Sequence, residues 1–167
     1  MEQKLRKIIR LPGYDYSENG VYFVTFCVKD NRPLLTDIRV GPTIGRLPEI
    51  CLTDKGLIVE KAIQNIPSVY PGVYIDQYVI MPNHVHMLIR IDRSYSRPMV
   101  GPARLPGLSR MIAQLKGFVT KQIGETIWQG KYYDHIIRDE QDYMTRWRYI
   151  ENNPANWLLK QDEYYSI

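Results

Sequence analysis

Two histidines, His84 and His86, stand one residue apart in a chain of 167 residues that contains only three histidines. On a β-strand, side chains two residues apart point to the same face, so the two imidazoles would lie side by side. Val85 would then point into the opposite layer. Neighbouring imidazoles can bind a divalent cation with little rearrangement. The alternative interpretation is a pair of ordinary strand histidines.

A tyrosine on the last predicted helix is the second group that could do chemistry. On a helical wheel the apolar residues of this helix form one buried stripe. The members of that stripe are Tyr143, Met144, Trp147 and Ile150. Tyr149 lies off the stripe, so its phenol is predicted to be accessible. The alternative is a boundary tyrosine without a chemical role.

Polar side chains accompany Tyr149 on its side of the helix. Asn153 follows one turn later and about 40° away if the helix continues that far. Asp142, Thr145 and Arg146 share the same side. This side therefore offers a phenol, an amide oxygen and a guanidinium. The alternative is that Asn153 only caps the helix before Pro154.

Together these groups predict metal-assisted attack on a phosphodiester. A cation held by His84 and His86, with Asn153 as third ligand, would neutralise charge on a phosphate oxygen. Tyr149 would attack the phosphorus in line and form a 5′-phosphotyrosine, leaving a free 3′-hydroxyl. The covalent bond conserves the phosphodiester energy, so another 3′-hydroxyl can rejoin the strand. Mg²⁺ or Mn²⁺ is preferred over zinc, because oxygen ligands suit harder ions.

The elements that position these groups alternate between apolar strands and amphipathic helices. Strands are predicted at 21–28, at both ends of 31–52, and at 73–81, 84–91 and 132–137. Helices are predicted at 53–66, 109–123 and 139–152. Short spacing between the strands at 73–81 and 84–91 favours an antiparallel pair. This order predicts an α+β fold, an antiparallel sheet with helices packed on one face.

Capping residues set the predicted helix ends. Thr53 and Asp139 suit N-caps, Gly124 suits a C-terminal stop, and Pro154 is expected to end the last helix. The helix over 109–123 carries one apolar face. Its residues are Met111, Ile112, Leu115, Phe118, Val119 and Ile123.

Composition sets broad limits on the class of protein. Apolar residues make up 44% and charged residues 24%, which favours one globular domain over residues 1–167. The formal charge of +4 and pI of about 9.0 permit an anionic partner such as nucleic acid. Cys27 and Cys51 fit no metal-binding spacing and are expected to be free, buried thiols. No signal peptide or membrane-length apolar run is found, which predicts a cytoplasmic protein with no membrane partner.

Several segments and side chains could contact a nucleic acid. Residues 1–19 are predicted to be a basic N-terminal arm, and 93–107 a loop insertion rich in Pro, Gly, Ser and Arg. Residues 40–48 are predicted to form an irregular tip between the two short strands. The candidate DNA-binding residues are Arg110, Gln114, Lys116, Lys121, Trp128, Lys131, Arg138 and Arg146. Solvated helix faces are the alternative for the basic residues, and core packing for Trp128.

Three segments resemble the REP-associated tyrosine transposases, which belong to the insertion-sequence-type single-tyrosine HUH transposases. The family's histidine strand is similar to MPNHVHMLI at 81–89. Its catalytic region is similar to WQGKYYDHIIRDEQDY at 128–143 followed by RYIENNPANW at 148–157, and its first strand to VYFVTFCVKDNRPLL at 21–35. The resemblance covers residues from about 20 to 157. Gly130 departs from it, because the family often carries a basic residue there.

This resemblance implies a ferredoxin-like or RRM-like HUH nuclease fold. It implies that His84 and His86 bind a metal and that Tyr149, in the motif YIxxNP, is the nucleophile. Asn153 matches a position that can complete the metal site, where related transposases carry Gln. The implied partner is single-stranded hairpin DNA, typically a repetitive extragenic palindrome with a short guide sequence. Relatives that mobilise their own element work as homodimers, whereas some REP-associated members act as monomers.

Two other classes of function remain open at this point. A non-catalytic DNA or RNA hairpin-binding protein derived from a transposase would keep the basic surface without needing Tyr149. A small metal hydrolase or cupin-like oxygenase would use the two histidines with further His or carboxylate ligands. His135 has no partner at metal-ligand spacing, and a structural hydrogen bond is its expected role.

Overall fold

The computed structural model describes residues 19–40, 48–95 and 106–165. Within these ranges the chain forms six β-strands and four α-helices. The strands are β1 (Gly20–Cys27), β2 (Thr36–Arg39), β3 (Glu49–Leu52), β4 (Val73–Ile80), β5 (His84–Ile91) and β6 (Tyr133–Ile137). The helices are α1 (Asp54–Gln64), α2 (Ile66–Val69), α3 (Leu108–Ile123) and α4 (Glu140–Tyr165).

Four of the strands form one antiparallel sheet in the order β4-β5-β1-β6. The strands β2 and β3 form a separate antiparallel hairpin. The central strands β1 and β5 are apolar on both faces, since both of their faces are covered. The predicted α+β class, the antiparallel sheet and the pairing of β4 with β5 are confirmed.

The larger hydrophobic core lies between one face of the sheet and the helices α1 and α3. From β5, Val85, Met87 and Ile89 point into this core and are fully buried or nearly so. Val59 of α1 and Met111 of α3 meet them from the helix layer. Burial of each such side chain contributes roughly 1.5–3 kcal/mol relative to exposure.

The helix α4 packs on the opposite face, so the expectation of helices on one face is wrong for this helix. Its Ile150 is buried with Phe23 of β1 and Leu88 of β5 in a second apolar cluster. The physical reason is that β1 and β5 carry apolar side chains on both faces, and the second face also has to be covered. Both histidines of β5 belong to this second face.

The last helix does not end before Pro154, because α4 continues to Tyr165 with Pro154 inside it. An internal proline removes one backbone hydrogen bond and weakens a helix. Trp157 and Leu158, which follow it, pack against the second apolar cluster. Tertiary packing beyond the proline therefore outweighs the local helix-stop signal.

The predicted caps are confirmed. The Thr53 hydroxyl accepts a hydrogen bond from the Gly56 amide at 3.1 Å, and Asp139 Oδ1 accepts from the Asp142 amide at 2.8 Å. Gly124 ends α3 in the left-handed region at φ 83°. Met144 was predicted to be buried in the stripe of the last helix, but its side chain is 39% exposed. Phe118, on the apolar face of α3, is 48% exposed. Each lies at the edge of its helix stripe, where coverage by the sheet stops.

Some predictions fall wholly or mostly outside the described residues. These are the basic arm at 1–19, the tip at 40–48 and most of the loop at 93–107, of which residues 93–95 form a short 3-10 turn. The division of 1–167 as one domain stays a prediction. Among the described helices, none is both long and apolar enough to cross a membrane.

Two helical glycines give a matched test of the packing of α1. A Cβ added at Gly56 would lie 2.0 Å from the Leu35 carbonyl oxygen, whereas one added at Gly117 of α3 meets nothing within 4 Å. We expect Gly56→Ala to lower the free energy of unfolding by about 2 kcal/mol, as overpacking against backbone does. Gly117→Ala should raise it by about 0.5–1 kcal/mol, because alanine favours a helix. Urea unfolding measures both, and equal effects would contradict the close contact of α1 with Leu35.

Candidate active site

His84 and His86 lie side by side on the α4 face of the sheet, as the strand pattern predicts. Their ring centroids are 4.6 Å apart, with the ring planes 69° from parallel. Val85, between them, is buried in the core on the other face. The alternation of β5 therefore produces the imidazole pair.

Backbone and side-chain hydrogen bonds fix His84 at the start of β5. Its Nδ1 lies 2.6 Å from the amide oxygen of Asn83, which can only accept, so Nδ1 carries the proton. The turn before it is held by two backbone bonds. The Leu35 amide donates to the Pro82 carbonyl at 3.0 Å, and the Val28 amide donates to the Asn83 carbonyl at 2.8 Å.

Thr25 of β1 orients His86. These two residues are direct partners in the β1–β5 register, and the Thr25 hydroxyl lies 2.6 Å from His86 Nδ1. The Nε2 atom of His86 is buried and has no hydrogen-bond partner among the described residues. A buried ring nitrogen without a partner is costly, and a bound cation would satisfy it.

His86 is held in its neutral form. Burial, together with the neighbouring His84, lowers the pKa of His86 to about 3. Only the neutral imidazole can donate its lone pair to a metal ion. The side chain is therefore a competent ligand without first losing a proton.

Tyr149 lies beside the histidines of its own chain. Its ring centroid is 5.1 Å from that of His86 and 5.9 Å from that of Phe23. The residue is 45% exposed, as its position off the buried stripe predicts. A strand of nucleic acid could therefore reach the phenol without any opening of the core.

Asn153 occupies the helix turn that crosses the histidine pair. Tyr149, Asn153 and Trp157 follow one another at intervals of four residues on one side of α4. Tyr149 contacts His86, and the Trp157 ring lies 6.1 Å from that of His84. Asn153, buried at 9% exposure, is the residue between these two contacts. Helical geometry persists through Asn153, although the helix was predicted to end at 152.

This donor set fits a hard divalent cation. Two imidazoles with an amide oxygen would leave positions for phosphate oxygens and water, a mixture that suits Mg²⁺ or Mn²⁺. Within the described part of the chain, no three His, Cys, Asp or Glu residues cluster as metal ligands.

Half of the eight candidate DNA-binding residues lie away from this site. Four of them belong to α3, which packs on the sheet face opposite the histidines. They are Arg110, Gln114, Lys116 and Lys121. The Lys116 ammonium donates to the carbonyls of Gln129 and Lys131 at 3.0 and 3.1 Å, and burial lowers its pKa. Lys116 therefore ties α3 to the segment before β6. The Tyr70 hydroxyl donates to Gln114.

Trp128 does not fit its predicted role in DNA stacking. It is 5% exposed and packs edge-on against Phe26, with ring centroids 5.0 Å apart. Trp128 belongs to the larger hydrophobic core, which was the alternative interpretation. Its backbone pairs with that of Val28 in an isolated antiparallel bridge. Lys131 and Arg138 are exposed, and their contacts with DNA stay predictions.

Arg146 and His135 lie on the α4 face. Arg146 lies over the Phe23 ring, with its guanidinium carbon 5.3 Å from the ring centroid. His135 Nε2 lies 2.7 Å from the Asp142 carboxylate, which agrees with the expected structural hydrogen bond. Cys27 and Cys51 are free, as expected, but the expectation that both are buried is wrong, because each is partly exposed.

Four residues around the site were missed by the sequence analysis. They are Phe23, Thr25, Asn83 and Trp157. Asn83 carried a local signal, since a polar side chain directly before a histidine can orient it. Thr25 and Phe23 could be found only from the strand register. Trp157 could be found only once α4 was known to pass Pro154.

Comparisons with known proteins show the family of this chain. Residues 18–153 match the family model described as Transposase IS200 like. An uncharacterized protein of Haemophilus influenzae is 35% identical over 178 residues, covering 96% of this chain and 93% of that protein. A putative REP-associated tyrosine transposase of the same organism is 23% identical over 146 residues, covering 84% of this chain and 73% of that one.

A solved structure shares the fold. A REP-associated tyrosine transposase bound to a REP hairpin superposes with a TM-score of 0.59 at 22% identity. The match covers 83% of this chain and 68% of the solved chain. The four-stranded antiparallel sheet with its helices is therefore the fold of that transposase.

The lowered pKa of His86 predicts a loss of stability in acid. The unfolded chain takes up a proton at this histidine below about pH 6.5, whereas the folded protein does so only near pH 3. Stability from the neutral form is thus complete above pH 6.5 and declines below it. With a chelator present to remove metal ions, we expect His86 to lower the free energy of unfolding by about 2 kcal/mol between pH 7.5 and pH 5.

Urea unfolding of the wild type and of His86→Gln at both pH values checks this expectation. Glutamine can still meet the Thr25 hydroxyl but does not titrate. The variant should therefore lose less stability in acid than the wild type does. Parallel losses in the two proteins would contradict the assignment of a neutral, buried imidazole.

Proposed function

Because this chain belongs to the IS200-like transposase family, we propose that it nicks and rejoins single-stranded hairpin DNA through a 5′-phosphotyrosine on Tyr149. The observation that carries the proposal is the contact between Tyr149 and His86 within one chain, at 5.1 Å between ring centroids. The phenol is exposed, and the facing Nε2 of His86 is buried without a partner among the described residues. These are the features of a nucleophile placed beside a metal site.

We assign the metal site to His84, His86 and Asn153. A bound Mg²⁺ or Mn²⁺ ion would supply a Lewis acid that neutralises charge on the scissile phosphate. The two histidines would bind through their Nε2 atoms, because Asn83 and Thr25 occupy the Nδ1 atoms. Asn153 would complete the set from the helix that also carries Tyr149.

The transfer step balances without an external energy source. Tyr149 loses its phenolic proton to solvent, and its oxygen forms a bond to phosphorus. The bond between phosphorus and the 3′-oxygen breaks, and that oxygen takes up a proton from solvent. The enzyme then holds the 5′-phosphate of the downstream strand. Attack by another 3′-hydroxyl reverses these steps and releases Tyr149.

Hairpin DNA is the proposed substrate on two grounds. The superposed transposase is bound to a REP hairpin, and this chain carries a formal charge of +4, which favours a phosphate backbone. Tyr149 lies next to histidines of its own chain, so the geometry of one site needs no second subunit. We therefore propose that a monomer is sufficient for cleavage, with a homodimer serving to pair two strands.

Replacement of Tyr149 tests the reaction and its nucleophile. A 3′-labelled hairpin oligonucleotide from DNA flanking the gene is incubated with Mn²⁺ and resolved on a denaturing protein gel. Wild type should form a covalent adduct, and Tyr149→Phe should form none while binding the hairpin with unchanged affinity. Tyr133→Phe is the matched control, since Tyr133 is 47% exposed against 45% for Tyr149.

The outcomes separate the candidate functions. Hairpin binding without an adduct in the wild type would favour the non-catalytic hairpin-binding protein. An adduct that persists in Tyr149→Phe and disappears in Tyr133→Phe would make Tyr133 the nucleophile and contradict the assignment of Tyr149. We do not expect Tyr133 to be the nucleophile, because it lies on β6, whereas Tyr149 contacts the histidine pair.

Substitution of Asn153 tests the third ligand. Asn153→Asp exchanges a neutral oxygen for a charged one, so Mn²⁺ should bind about tenfold more tightly, as hard cations prefer carboxylates. Asn153→Ala should weaken binding by a similar factor, and His86→Ala should abolish it. Titration calorimetry with Mn²⁺ alone measures these affinities. Equal affinity in wild type, Asn153→Asp and Asn153→Ala would remove Asn153 from the site.

A further inference from the structure

We propose that Arg146 is a catalytic residue that holds the scissile phosphate through its two terminal nitrogens while Tyr149 attacks. This inference rests on the proposed function and adds a second positive group to the same reaction centre. Asp142 and His135 are positioning residues in it, because they fix Arg146 and do not touch DNA.

The location of Arg146 comes from its contact with Phe23. The guanidinium carbon lies 5.3 Å from the centroid of the Phe23 ring. The same ring lies 5.9 Å from that of Tyr149 and is stacked on that of His86 at 5.4 Å. Phe23 is thus the common neighbour of the cation, the nucleophile and a proposed metal ligand. Arg146 also precedes Tyr149 by three residues, so the two share one side of α4.

A chain of polar contacts holds Arg146 by one nitrogen only. Its Nε donates to Asp142 Oδ1 at 3.4 Å, one helical turn away. The other oxygen of Asp142 accepts from His135 Nε2 at 2.7 Å and from the Arg138 amide at 3.4 Å. Three elements of the chain therefore meet at this carboxylate: the end of β6, the turn after it and α4.

Asp142 is ionised and able to hold a cation. Burial by itself would raise the pKa of Asp142, but the hydrogen bond and charge of His135 lower it, as do the Arg138 amide and the Arg146 charge. The net result is a pKa below the usual value for aspartate. The anchor of Arg146 is consequently charged throughout the neutral range.

The terminal nitrogens of Arg146 remain available for a ligand. Neither has a hydrogen-bond partner among the described residues, and the side chain is 30% exposed. A guanidinium presents these two nitrogens as a rigid fork that matches two phosphate oxygens. Since the Phe23 face and Asp142 already orient the fork, little side-chain entropy remains to be lost when phosphate binds.

A merely structural role explains less of this arrangement. The carboxylate of Asp142 already has His135 and the Arg138 amide as donors, so Arg146 is not needed to satisfy it. The cation lies on the helix side that carries the nucleophile. A structural ion pair would have no requirement for that side.

The test compares Arg146→Gln with Arg148→Gln, which removes an exposed arginine two residues away on the same helix. The rate of adduct formation is measured in single turnovers with Mn²⁺ and saturating hairpin DNA, and the hairpin Kd is measured separately. We expect Arg146→Gln to slow the reaction by about a hundredfold or more, the effect of losing one preorganised donor. Its Kd should change little, and Arg148→Gln should keep the wild-type rate.

Two further measurements replace Arg146→Gln if circular dichroism shows that this variant folds poorly. One is the adduct rate of Arg146→Lys, and the other is the adduct rate of Arg146→Ala with added methylguanidine. Lysine keeps the charge but loses the fork, so we expect a loss of about tenfold. In Arg146→Ala, methylguanidine should restore part of the adduct rate, which a structural role would not allow. A rate in Arg146→Lys within about threefold of wild type, or an equal loss in Arg148→Gln, would overturn the proposal.

A double-mutant cycle tests the positioning residue. Asp142→Asn should slow adduct formation in the wild-type background and cause no further loss in Arg146→Gln, because it acts through that arginine. Additive losses would overturn this part. If wild type forms no adduct at all, the proposed function fails and the inference with it. An adduct in wild type that is unaffected in Arg146→Gln overturns the inference alone.

Discussion

Packing of α4 across the sheet is the interaction on which the candidate site depends. Ile150 is buried against Phe23 and Leu88, and this contact sets both the height and the rotation of the helix over β5. Tyr149 and Asn153, which lie together on one side of Ile150 on the wheel, thereby face the histidine pair. A helix packed on the other face would leave His84 and His86 without a facing phenol. Burial of apolar side chains between α4 and the sheet thus positions Tyr149 next to His86.

A second layer of polar groups orients the two strand histidines. Asn83 and Thr25 engage the Nδ1 atoms, and the β1–β5 register brings Thr25 opposite His86. Burial keeps His86 neutral, so its free nitrogen is a lone-pair donor and not a cation. The buried Nε2 is a cost to the folded protein that a bound ion would offset.

The two faces of the sheet divide the work of the molecule. One face carries α1, α3 and the larger core, and several predicted DNA contacts on α3 lie there, away from the histidines. The other face carries α4 and the candidate chemistry. Membership of the IS200-like transposase family and the shared fold fit this division. Long α3 side chains on the far face are therefore separated from the candidate active site by the sheet.

Local patterns determined much of this protein. Strand alternation was enough to place His84 and His86 on one face, and the helical wheel was enough to expose Tyr149, because both depend only on the periodicity of one element. The sequence also settled the caps at Thr53 and Gly124, which are contacts within a few residues. Only the tertiary structure decided which face α4 covers, that it passes Pro154, that Trp128 is buried, and that Phe23 joins Arg146 to Tyr149. Those outcomes depend on contacts between residues far apart in the chain. The energies of these contacts outweigh local conformational preference, and the contacts produce no periodic pattern in the sequence.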